Sequence, residues 1–225
     1  MAKNKLFRFA EMKKMDHVFE PTMDSINKDQ IHYKGVWASE VFKNDNPVIL
    51  ELGCGKGEYT VALAEKCPEK NFIGIDIKGA RMWVGAKECL EKNLTNAAFL
   101  RTKVDFIEKF FSPGEVEEIW LTFSDPQPAK PNKRLTSETF IERYKKILKP
   151  GGIVHLKTDS DILFEFTENE ISTKGYKSKI LTDDLYSNLD KIPENLKDIL
   201  TVRTHYEELF SSRGHKIKYC QFEIH

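Results

Sequence analysis

Short apolar runs recur along this chain, bounded by polar, glycine- or proline-bearing stretches, and the spacing between apolar positions switches repeatedly between strand-like and helix-like. Residues 48–52, 72–75, 99–104, 118–122 and 153–157 read as buried strands. Between the first two, Val61, Ala62, Leu63 and Ala64 belong to a helix starting near Tyr59. After the second, Met82, Trp83, Ala86 and Leu90 fall at helical spacing. A third helix, capped by Ser137, carries the inner stripe Phe140, Ile141, Tyr144, Ile147 and Leu148, and Lys149-Pro150-Gly151-Gly152 is expected to end it. A helix over about 162–172 and a strand over 177–181 follow. The tail 216–224 alternates, with Cys220, Phe222 and Ile224 on one face, as a final antiparallel strand does. Strands alternating with helices predict an α/β domain with a largely parallel sheet.

The chemistry gathers where these strands end. Leu50-Glu51-Leu52-Gly53-Cys54-Gly55-Lys56-Gly57 runs from the first strand towards a helix, as a nucleotide-type cofactor loop does. Its third glycine comes one residue earlier than in G-x-G-x-x-G, and Glu51 suits a cofactor carrying positive charge better than a pyrophosphate. Asp76 ends the next strand about 20 residues past the glycines, where an acid can bond ribose hydroxyls. Asp105 is expected to end the third strand in the same way. Phe123-Ser124-Asp125-Pro126-Gln127-Pro128 leaves the fourth strand as a stiff, non-helical turn, because proline fixes φ and lacks an N–H. Asp125 there either starts a surface turn or orients a polar substrate, with Lys130, Lys133 and Arg134 close by. Carboxylates on one rim of the sheet favour a sulfonium with an amino group, a ribose and an adenine. The expected cofactor is S-adenosylmethionine.

Six motifs occur in order: Leu50 to Gly57, Phe123-Ser124-Asp125-Pro126, Lys133-Arg134-Leu135-Thr136, Lys149-Pro150-Gly151-Gly152, Lys157-Thr158-Asp159 and Thr204-His205-Tyr206-Glu207. Together they resemble the tRNA (guanine-N7)-methyltransferase family over nearly the whole chain. The resemblance implies a Rossmann-like class I methyltransferase fold, a seven-stranded, mostly parallel sheet with helices on both faces and the last strand inserted antiparallel. It divides the chain into an arm and lead-in segment, 1–35, and one catalytic domain, 36–225. It implies methyl transfer from S-adenosylmethionine to N7 of a guanine in the tRNA variable loop. Glu51, Gly53, Gly55, Gly57, Asp76, Asp105 and Asp125 match cofactor contacts. Asp125 also matches the catalytic position. Asp159, Thr204, His205, Tyr206 and Glu207 match substrate contacts. Read without the resemblance, Thr158-Asp159 and Thr204 serve equally well as helix caps. Alanine at Ala129 replaces the first of the family's basic pair, leaving Lys130 as the substitute.

Composition narrows the remaining choices. Lys plus Arg and Asp plus Glu both total 35, so net charge is silent on a nucleic-acid partner. Lys3, Lys5, Arg8, Lys13 and Lys14 against Glu11 make a basic N-terminal arm, either a solvated tail or a phosphate-contacting segment that orders on binding. Cys54, Cys67, Cys89 and Cys220 lack metal-ligand spacing and are expected as reduced thiols, with no metal. No apolar run approaches ~20 residues, so no membrane is expected, and a cytoplasmic monomer or homodimer acting on tRNA is the reading. A dehydrogenase would share the glycine loop and Asp76, but the glycine spacing and the Asp-Pro turn disfavour it. An amino-group methyltransferase and a non-catalytic RNA-binding scaffold remain as competing functions.

Overall fold

The computed structural model describes residues 2–204, 207–209 and 214–224. In chain order its elements are α1 (Ala2–Met12), β1 (Val18–Phe19), α2 (Met23–Asn27), β2 (Val48–Leu52), α3 (Glu58–Lys66), β3 (Asn71–Asp76), α4 (Gly79–Glu91) and β4 (Ala97–Arg101). The second half adds β5 (Val116–Thr122), α5 (Glu138–Lys145), β6 (Leu148–Thr158), α6 (Asp161–Lys174), β7 (Lys177–Thr182), α7 (Glu194–Leu200) and β8 (Lys218–Glu223). One sheet contains all eight strands in the order β1-β4-β3-β2-β5-β6-β8-β7. Every pairing from β1 to β6 is parallel, and β8 runs antiparallel between β6 and β7.

The central strands are continuous apolar runs because both of their faces are covered. On β2, Val48, Leu50 and Leu52 enter one core while Ile49 enters the other. Ile119 and Leu121 of β5 likewise face Phe140, Ile141 and Tyr144 of α5, whereas Trp120 lies in the core formed with α3, α4 and α7. The period-two alternation puts Glu51 on the Ile49 side. From β2 the chain proceeds through β3 and β4 on one side and β5 and β6 on the other. That reversal opens a crevice at the carboxyl ends of the strands.

Several expectations need correction. The sheet has eight strands, not seven, because Val18 and Phe19 pair with Phe99 and Leu100 and extend the β4 edge. Lys149-Pro150-Gly151-Gly152 does not end a helix. α5 stops at Lys145, and Ile147 and Leu148 pack in the core from outside it. Leu148 already pairs with Val116, and the next pairing joins Glu118 to Ile153, so residues 149–152 bulge out of the ladder with Gly151 at φ +77°. Ser137 occupies the N-cap position, but its hydroxyl donates to Asn132 O (3.1 Å) instead of capping α5. Ser160, rather than Thr158 or Asp159, caps α6 through Leu163 N. Leu90 is half exposed, and Asp105 lies beyond β4 in a 3-10 turn, Val104–Lys109.

The basic N-terminal segment forms a helix against α4. Met12 is fully buried, Arg8 donates to Ala80 O (2.8 Å) and lies 4.6 Å over the Trp83 ring, and the Trp83 indole donates to Glu11 Oε2 (2.8 Å). Among the described residues no helix is long and apolar enough to cross a membrane, and no His, Cys, Asp and Glu cluster could hold a metal ion.

The glycine loop and α4 approach closely at Gly85, whose amide donates to Lys56 O (2.8 Å). A Cβ there would sit 2.6 Å from Lys56 O and 2.9 Å from Phe99 Cζ. Gly→Ala inside a helix ordinarily stabilises by roughly 0.5–1 kcal/mol. Gly85→Ala is expected to destabilise by about 1–3 kcal/mol instead, through overpacking. Urea unfolding of the two proteins reads the sign directly.

Candidate active site

A cleft of about 900 Å³ opens at the carboxyl ends of β2, β3, β5 and β6. Its cofactor-type wall is built by the glycine loop. Gly53 N (2.7 Å) and Cys54 N (3.1 Å) both donate to Ile75 O, which pins the loop to the end of β3. Gly53 sits at φ +78°, and a Cβ there would meet nothing within 4 Å, so the space belongs to the cleft. Gly55 N donates to Asp76 Oδ2 (3.0 Å) and Lys78 N to Oδ1 (2.8 Å), orienting the carboxylate while each oxygen keeps capacity to accept another donor. Gly57 departs from expectation and does not line the cleft. At φ +76° its Cβ would lie 2.5 Å from Phe99 Cε1, so glycine is required there by packing.

Glu51 lines the floor at 4% exposure and accepts hydrogen bonds from Thr60 on α3 and Thr122 on β5. Burial pushes its carboxyl up to about 7, and the charge of Asp76 adds to the rise, against the opposing hydroxyl bonds. Burial also holds the Cys54 thiol well above its ordinary value, which makes it a filler of the loop rather than a nucleophile.

The opposite wall is the turn after β5. Phe123 (φ +50°) and Gln127 (φ +44°) both occupy the left-handed region, which non-glycine residues adopt at a cost. Surrounding bonds hold them there. Phe123 N donates to Lys157 O (2.9 Å), Gln127 N to Asp125 Oδ1 (3.0 Å), and Arg134 Nε to Pro126 O (2.9 Å). Arg134 is buried, with its guanidinium 4.5 Å over the Phe166 ring. It braces the turn and is not one of the cleft's cations. Asp125 is exposed at the cleft edge, with Lys130 also exposed nearby. Lys133 reaches Asp105 across the cleft (3.7 Å), so Asp105 lines the site although it ends no strand.

Asp159 and Thr204 complete the lining. The Thr204 hydroxyl accepts from Glu207 N (3.2 Å), the cap geometry expected at a helix start, and retains a proton to donate. Glu207, matched to a substrate contact by the resemblance, lies outside the cleft lining, fully buried and paired with the Lys157 ammonium (2.8 Å). His205 and Tyr206 lie outside the described residues. Sequence reasoning missed Lys56, Lys78, Arg81 and Lys103, cations of the lining, and Thr60 and Thr122, the donors to Glu51. Lys78 and Arg81 fall within five residues of Asp76, at the start of the next helix, and that closeness was the available sign for them.

Comparison with known proteins bears on this geometry. A family model described as a putative methyltransferase matches residues 45–220. The tRNA (guanine-N(7)-)-methyltransferase of Bacteroides thetaiotaomicron is 50% identical over 224 residues, covering 100% of this chain and 87% of that protein. The enzyme of the same name from Christiangramia forsetii is 45% identical over 225 residues, covering 99% of each. Among solved structures, the 16S rRNA methyltransferase KamB superposes with a TM-score of 0.61 at 14% identity, over 83% of this chain and 91% of that one. That likeness carries the fold alone.

The buried carboxyl generates a stability prediction. A folded-state value near 7, above the ordinary carboxyl range, means that folding favours protonated Glu51. The cost of ionising it is absent below the unfolded value and sets in as pH rises towards 7. Glu51→Gln should therefore match the parent in stability near pH 4.5 and exceed it above pH 7 by about 3 kcal/mol. Denaturant titrations at both pH values measure the difference.

Proposed function

The chain belongs to the tRNA (guanine-N7)-methyltransferase family, and from that premise we propose that it transfers the methyl group of S-adenosylmethionine to N7 of guanine 46 in the tRNA variable loop. The observation that carries the reading is the placement of carboxylates in one cleft: Glu51 buried on the floor, Asp76 oriented by two backbone amides, and Asp125 exposed on a braced turn opposite.

The residues fit the cofactor. Asp76 accepts from the ribose hydroxyls, and half-exposed Ile77 offers apolar surface for the adenine ring. Gly53 and Gly55 let the backbone approach the methionine portion, and Glu51 supplies negative charge beneath its cationic groups. When bound, the cofactor provides an electrophilic sulfonium methyl. Guanine N7 has a free lone pair and no proton to lose, so no residue has to act as a general base. The protein's task is placement, worth up to ~7–11 kcal/mol in favourable cases, together with charge balance. Asp125 accepts from the guanine N1–H and N2–H₂ edge and offsets the positive charge that methylation leaves on the base. Asp159, Thr204 and Lys130 border the same end and contact the target nucleotide, while Lys56, Lys78, Arg81, Lys103 and Lys133 meet phosphates around the mouth.

The test of the reading is incubation with labelled S-adenosylmethionine and tRNA lacking 7-methylguanosine, followed by nucleoside analysis. Label in 7-methylguanosine is expected, and sequencing of the labelled RNA fragment should place it at position 46. Label on an amino group, or none, would contradict it.

Two further outcomes follow from the roles assigned. Asp125→Asn keeps the turn but leaves one acceptor atom for the guanine edge, so single-turnover rates should fall by roughly 10²–10³-fold, with tRNA affinity preserved by phosphate contacts. With cofactor and tRNA saturating, so that binding-linked ionisation of Glu51 is complete, the parent's single-turnover rate should show no base-like limb near neutral pH. Lys130→Ala should lower the slope of log tRNA affinity against log salt by about one unit. Its affinity for S-adenosylmethionine, measured by calorimetry, should be unchanged.

A further inference from the structure

Lys157 is the penultimate residue of β6, and its side chain and that of Glu207 are both entirely excluded from solvent. The ammonium donates to Glu207 Oε2 (2.8 Å), Leu200 O (2.7 Å) and Val202 O (2.8 Å), which accounts for all three of its protons. The Tyr186 hydroxyl donates to the other Glu207 oxygen. The Tyr59 ring lies 5.5 Å from the ammonium and the Phe123 ring 6.0 Å from it. The same residue's carbonyl accepts from Phe123 N (2.9 Å).

Tyr59, Phe123 and Thr204 all line the cleft, and they come from three different walls: the helix after the glycine loop, the turn carrying Asp125, and the segment after α7. One buried cation touches all three walls, directly or through Glu207, whose amide donates to Thr204 Oγ (3.2 Å). A buried ion pair is poor evidence for stability, because well-packed apolar replacements are often as stable or more so. What this pair does supply is geometry. It fixes where the Thr204 segment stands relative to the turn.

We propose that Lys157 and Glu207 are positioning residues for methyl transfer, holding Thr204 and the Asp125 turn in register across the substrate end of the cleft, so that Glu207 acts through the pair and not by touching RNA. This rests on the function proposed above. The ammonium is the shared anchor: its side chain holds the Thr204 segment, while its backbone and the overlying Phe123 ring hold the turn in its left-handed start.

The experiment uses the full chain with Glu207→Gln, with Lys157→Met/Glu207→Met, and with Thr204→Ala alone and combined with Glu207→Gln. Hydrogen exchange in the free protein comes first, because it does not depend on the reaction. Glu207→Gln should speed exchange of the Phe123 and Glu208 amides at least tenfold, with amides of β3 and α4 unchanged. Unchanged exchange at Phe123 and Glu208 overturns the coupling whether or not the chain methylates tRNA. Single-turnover rates at saturating tRNA and cofactor come second. Glu207→Gln should be at least tenfold slower, with tRNA Kd within twofold of the parent because phosphate contacts dominate affinity; a parental rate overturns the proposal. The double methionine variant should stay folded and still be at least tenfold slow. A folded variant with parental rate overturns the proposal, and should the variant not fold, Glu207→Gln decides alone. In the Thr204→Ala background, adding Glu207→Gln should slow transfer less than threefold further, since both changes act on one segment. Fully multiplicative losses overturn it.

Discussion

A carboxylate buried at the end of the central strand is the constraint around which this cleft is organised. Glu51 sits on β2, and its two hydroxyl partners come from α3 and β5, the elements that follow the strand in sequence and flank it in space. The bonds tie the first turn of α3 and the end of β5 to one carboxylate on either side of the glycine loop's start. Burying a charge without a full counter-ion is costly, and the protein meets that cost by raising the carboxyl's proton affinity. The same charge that weakens the fold above neutral pH is the one that the proposed cationic cofactor would gain from. Stability and function oppose each other at this one atom pair.

The facing wall shows a second form of the same exchange. Two left-handed non-glycine residues, Phe123 and Gln127, bracket Asp125, and each costs of order 1–3 kcal/mol relative to ordinary backbone. The strain is over-determined by bonds from Lys157, Arg134 and Asp125 itself. The result is a carboxylate whose position is set before substrate arrives, which is what electrostatic stabilisation of a developing charge needs. Acids therefore occupy the floor and the turn while at least five lysines and Arg81 share the lining with them, although the chain as a whole carries no net charge.

Much of this was legible in the sequence. The buried parallel strands were readable because continuous apolar runs leave few other options, and the acids at Glu51, Asp76 and Asp125 follow once strand ends are located. β1 left no trace, since two residues have no period and become a strand only by pairing with β4. Proline and glycine at 149–152 read as a helix stop, but the same backbone preferences serve a bulge, and only the pairing of Leu148 and Ile153 with β5 decides between them. Gly57 looked like a cofactor glycine until Phe99, far along the chain, accounted for it. The burial of Glu207 was hidden for a related reason. A motif gives the order of polar residues, not which one turns inward, and its partner Lys157 lies 50 residues earlier.

At pH 6 Glu51, its carboxyl pushed up to about 7 by burial, is expected to be protonated in the free protein and to ionise beneath a cationic cofactor. Proton release on binding tests it most directly. Calorimetric titration of S-adenosylmethionine near pH 6, in buffers of different ionisation enthalpy, counts the protons exchanged. Net release is expected from the parent, shrinking as pH rises past 7, and it should be lost in Glu51→Gln along with weaker binding. Binding without proton release, or release unchanged by Glu51→Gln, would contradict it.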